Sequence, residues 1–125
     1  MINLVIDIGN SRTKIALFNE HDLMLNVTVD RLTPDHLKML KDEQPQLNKV
    51  ILSSVKAVEP EITGYLSGNF EFFIELDHLT RLPIENIYET PETLGKDRLA
   101  AAVGANELFP DQNLLIIDAG TAINI

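Results

Sequence analysis

Residues 2–18 read Ile-Asn-Leu-Val-Ile-Asp-Ile-Gly-Asn-Ser-Arg-Thr-Lys-Ile-Ala-Leu-Phe. Ile2 to Ile8 is a mostly apolar run, Gly9-Asn10-Ser11-Arg12 has the composition of a turn, and residues 13–18 alternate around Ile15 and Leu17, the period of a strand. A second turn at residues 19–22 and a third strand over 23–29 complete a meander. Beyond it, Thr33-Pro34-Asp35 combines a capping residue with proline at the first helical position, and Leu37 and Leu40 give that helix one apolar face up to Gln44-Pro45. Residues 49–53 form a short apolar run suited to a strand covered on both faces. A helix is expected over 60–66, ending at Gly68, and a strand over 71–76. Residues 78–94 read as a long loop, residues 99–108 as an alanine-rich helix, and residues 113–125 as a strand, a glycine turn and the start of another strand. Three antiparallel strands followed by alternating helices and strands indicate an α/β domain with a mixed sheet.

The composition bounds what such a domain can do. With 125 residues, 45% of them hydrophobic, the chain supports one core. Its net charge of −9 repels nucleic acid and anionic membrane alike, so neither is an expected partner. A phosphate ligand would need local help from backbone amides, a cation or a metal. Cysteine is absent, which excludes disulfides, thiolate metal sites and thiol catalysis. No apolar stretch approaches the roughly 20 residues that span a bilayer, and Met1 leads straight into a strand, so a cytoplasmic location is expected. His21, His36 and His78 lack the spacing of metal ligands.

One pattern occurs twice. Asn3-Leu4-Val5-Ile6-Asp7-Ile8-Gly9-Asn10-Ser11 is echoed by Asn113-Leu114-Leu115-Ile116-Ile117-Asp118-Ala119-Gly120-Thr121-Ala122. Each is an apolar strand, then Asp-x-Gly, then small polar residues. Such a turn suits a phosphate: glycine permits positive φ and close backbone approach, the following amides converge on an oxyanion, and the aspartate can hold a hydrated divalent cation. Asp-x-Gly also occurs in ordinary hairpins, but a matched pair at the two ends of a chain suggests two turns that clamp one nucleotide. If each copy opens a domain, residues 1–112 form the first and residues 113–125 the first strand and turn of a second, truncated one. On that reading residues 1–125 alone would be inactive.

Between the copies, Tyr88-Glu89-Thr90-Pro91-Glu92-Thr93-Leu94-Gly95-Lys96-Asp97-Arg98 runs from a loop into a helix. Asp97 could cap that helix, with Arg98 on its solvated face and Tyr88 under the loop. Alternatively the Asp97 carboxylate orients or deprotonates an attacking hydroxyl, and Arg98 pairs with an anionic substrate group.

Taken together, Asp7-x-Gly9-Asn10-Ser11, the Ser53-Ser54-Val55 strand end, the Tyr88 to Arg98 block and Asp118-x-Gly120-Thr121-Ala122 resemble the ordered motifs of type III pantothenate kinases. The resemblance spans the whole sequence, and Gly95-x-Asp97-Arg98 separates this family from other kinases of the acetate kinase, sugar kinase and actin superfamily. It implies a ribonuclease H-like, actin-like ATPase domain, with three antiparallel N-terminal strands in a mixed central sheet and flanking helices. The implied activity is ATP-dependent phosphorylation of pantothenate, the first step of coenzyme A synthesis, by a cytoplasmic homodimer. By the same resemblance, Asp7, Gly9, Asn10, Ser11, Lys14, Gly120 and Thr121 would bind the ATP phosphates. Tyr88, Gly95, Lys96, Asp97 and Arg98 would hold pantothenate, with Asp97 catalytic. Magnesium would lie near Asp7 through water, and a monovalent cation, potassium or ammonium, near Asp118. Two positions depart from the family pattern, Ser11 and Asn124, each standing where threonine is usual. The rival readings are another sugar or carboxylate kinase of the superfamily, a non-enzymatic transcriptional accessory factor, and an actin-like assembly protein.

Overall fold

The computed structural model describes residues 1–119 and 123–124. These fall into two compact units, Met1–Leu76 and Asp77–Ile125.

The first unit is built around strand β1 (Ile2–Ile8). It pairs antiparallel with β2 (Thr13–Asn19), which pairs antiparallel with β3 (Asp22–Val29). On its other side β1 pairs parallel with β4 (Lys49–Ser54), and β4 with β5 (Phe72–Glu75), giving the order β3-β2-β1-β4-β5. This is the mixed sheet with three antiparallel N-terminal strands expected from the sequence. Helix α1 (Pro34–Glu43) joins β3 to β4, and α2 (Pro60–Asn69) joins β4 to β5.

Alternation sets the layers. Ile2, Leu4, Ile6 and Ile8 are buried and merge with Val50 and Leu52 of β4, Leu37 and Leu40 of α1, and Ile62 and Leu66 of α2 into one core. Each fully buried leucine among them contributes about 1.5–3 kcal/mol. Both helices therefore lie on one face of the sheet. The expectation that β4 is covered on both faces does not hold within this unit: Ile51 is 36% exposed, and Phe72 and Ile74 of β5 are 53% and 47% exposed. A groove of about 470 Å³ follows Val5, Ile51, Phe72 and Ile74 along that second face. At its edge the Lys49 ammonium stands over the Phe72 ring, 5.1 Å from the centroid.

Helix boundaries follow local chemistry. Thr33 caps α1 as expected, and the His36 ring reaches back so that its Nδ1 accepts the Thr33 N–H at 3.1 Å. The helix stops at Gln44 because the residue before Pro45 is pushed out of helical geometry. Helix α2 runs past Gly68 to Asn69; that glycine has open space around it and no positive φ, so nothing ends the helix there. Lys41 of α1 ties the elements together, donating to the Leu47 and Asn69 carbonyls at 2.8 Å each and standing 4.8 Å above the Phe70 ring.

In the second unit, the Asp77 carboxylate accepts the Leu79 N–H and the Thr80 hydroxyl at the start of the long loop. These bonds, the backbone one foremost, hold the Asp77 carboxyl below its ordinary pKa. A short turn over Pro91–Thr93 leads into α3 (Lys96–Leu108), which begins three residues earlier than its apolar pattern indicates. The strand expected at residues 113–117 has no ladder; Leu115 and Ile117 are 77% and 61% exposed. An apolar run becomes a strand only beside another strand, and the described pairing is confined to β6 (Asp118–Ala119) with β7 (Ile123–Asn124). No described helix is long and apolar enough to cross a membrane.

Lys41→Met keeps the side-chain stem but removes two charged hydrogen bonds, and we expect urea denaturation to register a loss of about 1–3 kcal/mol. A change below about 0.5 kcal/mol would show that the two carbonyls are satisfied without it.

Candidate functional site

Parallel strands β1 and β4 are neighbours whose chains leave in opposite directions, β1 turning back to β2 and β4 passing through α2 to β5. The carboxyl ends at such a reversal are where open α/β sheets bind ligands. Asp7, Gly9 and Ser53-Ser54 all lie there.

The first turn is closed by the Gly9 N–H, which donates to the Arg12 carbonyl at 2.9 Å. Glycine is favoured here by space and not by a left-handed backbone: a Cβ at Gly9 would stand 3.1 Å from that carbonyl, a tight contact, and no described glycine has positive φ. The positive φ expected at this turn is thus absent at Gly9. Ser54 fixes the facing loop, its hydroxyl donating to the Lys56 carbonyl at 2.6 Å and accepting the Lys56 N–H at 3.2 Å. The Val55 N–H then bonds the Ile8 carbonyl at 3.0 Å, joining the two strand ends.

A cavity of about 180 Å³ opens against this turn, with Gly9, Ser11 and Arg12 on one side and Arg31, Lys56 and Glu59 on the other. Gly9 and Ser11 were expected at a phosphate site. The three cations around them were not, although the acidic chain needs local positive charge to admit an anion. Arg12 stands in the turn itself and could have been found from the sequence. Arg31 and Lys56 are brought there by chain topology. Arg31 donates to a Glu59 carboxylate oxygen at 2.7 Å and lies 3.7 Å from Glu61, while Arg12 is 3.9 Å from Asp30. The hydrogen bond from Arg31 holds the Glu59 carboxyl below its ordinary pKa and raises the guanidinium in return.

Asp7 and Lys14 lie on the opposite face of the sheet from Ile8. The register sets Lys14, Asp7 and Ser53 side by side across β2, β1 and β4. Asn10 is exposed in the turn. Among the described residues no group of three or more His, Cys, Asp or Glu side chains could hold a metal ion. A single carboxylate such as that of Asp7 still suits magnesium, which is commonly held by one or two carboxylates plus substrate phosphates.

The second unit presents the Tyr88 to Arg98 block. Asp97 is not the cap of α3. Gly95 holds that position, and its carbonyl accepts the Leu99 N–H at 3.2 Å. Asp97, the second helical residue, folds its carboxylate back so closely that a Cβ on Gly95 would stand 2.6 Å from Asp97 Oδ1. The glycine thus makes room for the carboxylate at the end of the helix whose amides favour an anion. Lys96 is half-buried, Arg98 is exposed, and Tyr88 is 47% exposed, its N–H bonded to Asn86 Oδ1 at 3.1 Å. Asp118 is exposed on β6, whereas Gly120 and Thr121 lie outside the described residues.

The profile of the type III pantothenate kinase family matches residues 3–125. A type III pantothenate kinase of Phocaeicola vulgatus is 43% identical over 122 residues, covering 98% of this chain and 50% of its own. One from Christiangramia forsetii is 39% identical over 123 residues, with the same coverage of both chains. The chain spans about half the length of the curated relatives it matches. A solved glucokinase structure from an Antarctic psychrotroph overlaps 58% of this chain and 31% of its own, at a TM-score of 0.44 and 13% identity, too distant to bear on the site.

The Arg31–Glu59 pair yields a pH signature. Because the Glu59 pKa is lowered by folding, its contribution is fully present above its ordinary value of 4.5 and disappears as pH falls through the lowered one. The difference in Tm between the native chain and Glu59→Gln should therefore be present at pH 7 and close by about pH 3. A difference that is the same at both pH values would show that the ion pair adds nothing.

Proposed function

This chain belongs to the type III pantothenate kinase family, and on that premise we propose that the complete protein transfers the γ-phosphoryl group of ATP to the primary hydroxyl of pantothenate. The single observation that carries the assignment to residues is the Asp97 carboxylate folded over Gly95 at the head of α3. A carboxylate held against a helix end, in a segment that also offers Arg98 and Tyr88, suits the recognition of a hydroxyl on an anionic substrate.

In this proposal Asp97 accepts the hydrogen bond of the substrate hydroxyl, aims its oxygen at phosphorus and takes its proton. Arg98 pairs with the pantothenate carboxylate, Tyr88 packs along the substrate, and Gly95 and Lys96 shape the approach. In the turn of Gly9, Asn10 and Ser11, the Asn10 and Ser11 amides and the Ser11 hydroxyl receive ATP phosphate oxygens, Gly9 allows their close approach, and Lys14 is a further cation. Gly120 and Thr121 form the matching second turn, and residues 113–125 open a second domain beyond residues 1–112. Asp7 holds hydrated magnesium, which when bound neutralises phosphate charge. Asp118 is assigned to a monovalent cation, potassium or ammonium. The complete protein is proposed to act as a cytoplasmic homodimer. Phosphoryl transfer depends chiefly on positioning and charge stabilisation, which is what this set of residues offers.

Two substitutions in the complete protein test the assignment. Asp97→Asn should lower pantothenate turnover about 10²- to 10⁴-fold while nucleotide affinity changes less than about twofold; near-normal turnover overturns the role. Gly95→Ala should displace the Asp97 carboxylate and reduce kcat/KM for pantothenate on the order of 10²-fold. Its Tm should fall by no more than about 4 °C, because alanine caps a helix roughly 1 kcal/mol less well than glycine. Unchanged kcat/KM would show that the carboxylate does not act from this position.

A further inference from the structure

Ser53 and Ser54 end β4 side by side, yet only one has its hydroxyl satisfied. Ser54 faces the helices and binds the Lys56 backbone twice. Ser53 is 9% exposed, its Oγ is shielded from solvent, and that oxygen has no hydrogen-bond partner. A buried hydroxyl left unpaired costs free energy, and such groups in folded proteins call for an explanation. Alanine would fill the same place in the strand without that cost.

The register supplies the explanation. Ser53 is the in-register neighbour of Asp7 across the parallel β1–β4 pair, so both side chains project from the same face. Neighbouring strands lie about 4.8 Å apart, which lets a rotation about χ1 bring a serine hydroxyl to hydrogen-bond distance of an adjacent carboxylate. Lys14 flanks Asp7 on the other side. The Asp7 carboxylate is thus bracketed by an ammonium on one strand and a hydroxyl on the next. Carboxylates that hold a metal or its waters are themselves held by hydrogen bonds, which fix the angle of the carboxylate plane.

We propose, resting on the kinase reading, that Ser53 is a positioning residue for Asp7. When Asp7 turns to hold hydrated magnesium, the Ser53 hydroxyl donates a hydrogen bond to the carboxylate and fixes its orientation. The hydroxyl is stored unpaired until that state forms.

The test uses the complete protein, ADP as probe, and the magnesium concentration that gives half of the maximal ADP-induced rise in Tm. Ser53→Ala should raise that concentration about tenfold. Without magnesium and nucleotide its Tm should equal or exceed that of the native protein, because the unpaired hydroxyl is gone. Ser53→Thr, which keeps the donor, should stay within about threefold of the native midpoint. An unchanged midpoint in Ser53→Ala overturns the proposal and leaves the kinase reading standing. Equal shifts in both variants would show a packing effect and also overturn it. A native protein whose Tm does not respond to ADP at any magnesium concentration would remove the kinase reading and this inference with it.

Discussion

Strand β1 carries the structure because its two neighbours impose different demands. It must pair antiparallel with β2 along one edge over Ile2–Ile8 and parallel with β4 along the other over Asn3–Ile8. A side-chain period of two then fixes every residue to a face. Ile2, Leu4, Ile6 and Ile8 can only join the core, and Asp7 can only stand on the other side. A slip of one residue would bury the carboxylate among leucines. The hydrophobic core therefore does more than stabilise the sheet: it holds Asp7 beside Lys14 and Ser53, at the carboxyl ends where the chain reverses direction across the sheet.

Much of this was legible in the sequence because it is local. The apolar alternation of β1 and β2, the Gly9 to Arg12 turn, and the Thr33-Pro34 helix start each depend on residues a few positions apart. What was not legible depends on distance along the chain or on space. Arg31 and Lys56 reach the cavity beside Gly9 through pairings distant in sequence: β3 ends beside the start of β2, and α1 returns the chain so that β4 ends beside β1. The apolar run at residues 113–117 has the composition of a strand, but composition cannot supply a neighbour to pair with. Nor does the Asp97 motif reveal that Gly95 is the cap and Asp97 the second helical residue. That follows from a carboxylate turned back toward its own helix end.

The glycines at the two candidate sites, Gly9 and Gly95, show the same economy by different routes. At Gly9 the missing side chain lets a turn close against the Arg12 carbonyl, and at Gly95 it leaves room for the Asp97 carboxylate. Neither needs an unusual backbone angle. In both places the absence of a methyl group eases the approach of a neighbouring oxygen, and each of these turns presents groups suited to an anion or a hydroxyl.

The bare face along Val5, Ile51, Phe72 and Ile74 has a consequence for how the chain survives its own synthesis. Strand β5 is an outer strand carrying two exposed apolar side chains, the kind of border onto which another polypeptide can add in β-fashion and seed an aggregate. Two features oppose this. The strand is only four residues long, and Lys49 sets an ammonium over the Phe72 ring beside it. With a net charge of −9 on the whole chain, copies that meet repel one another before their borders align. The acidic surplus that opposes such association is the same one against which Arg12, Arg31 and Lys56 gather beside the Gly9 turn.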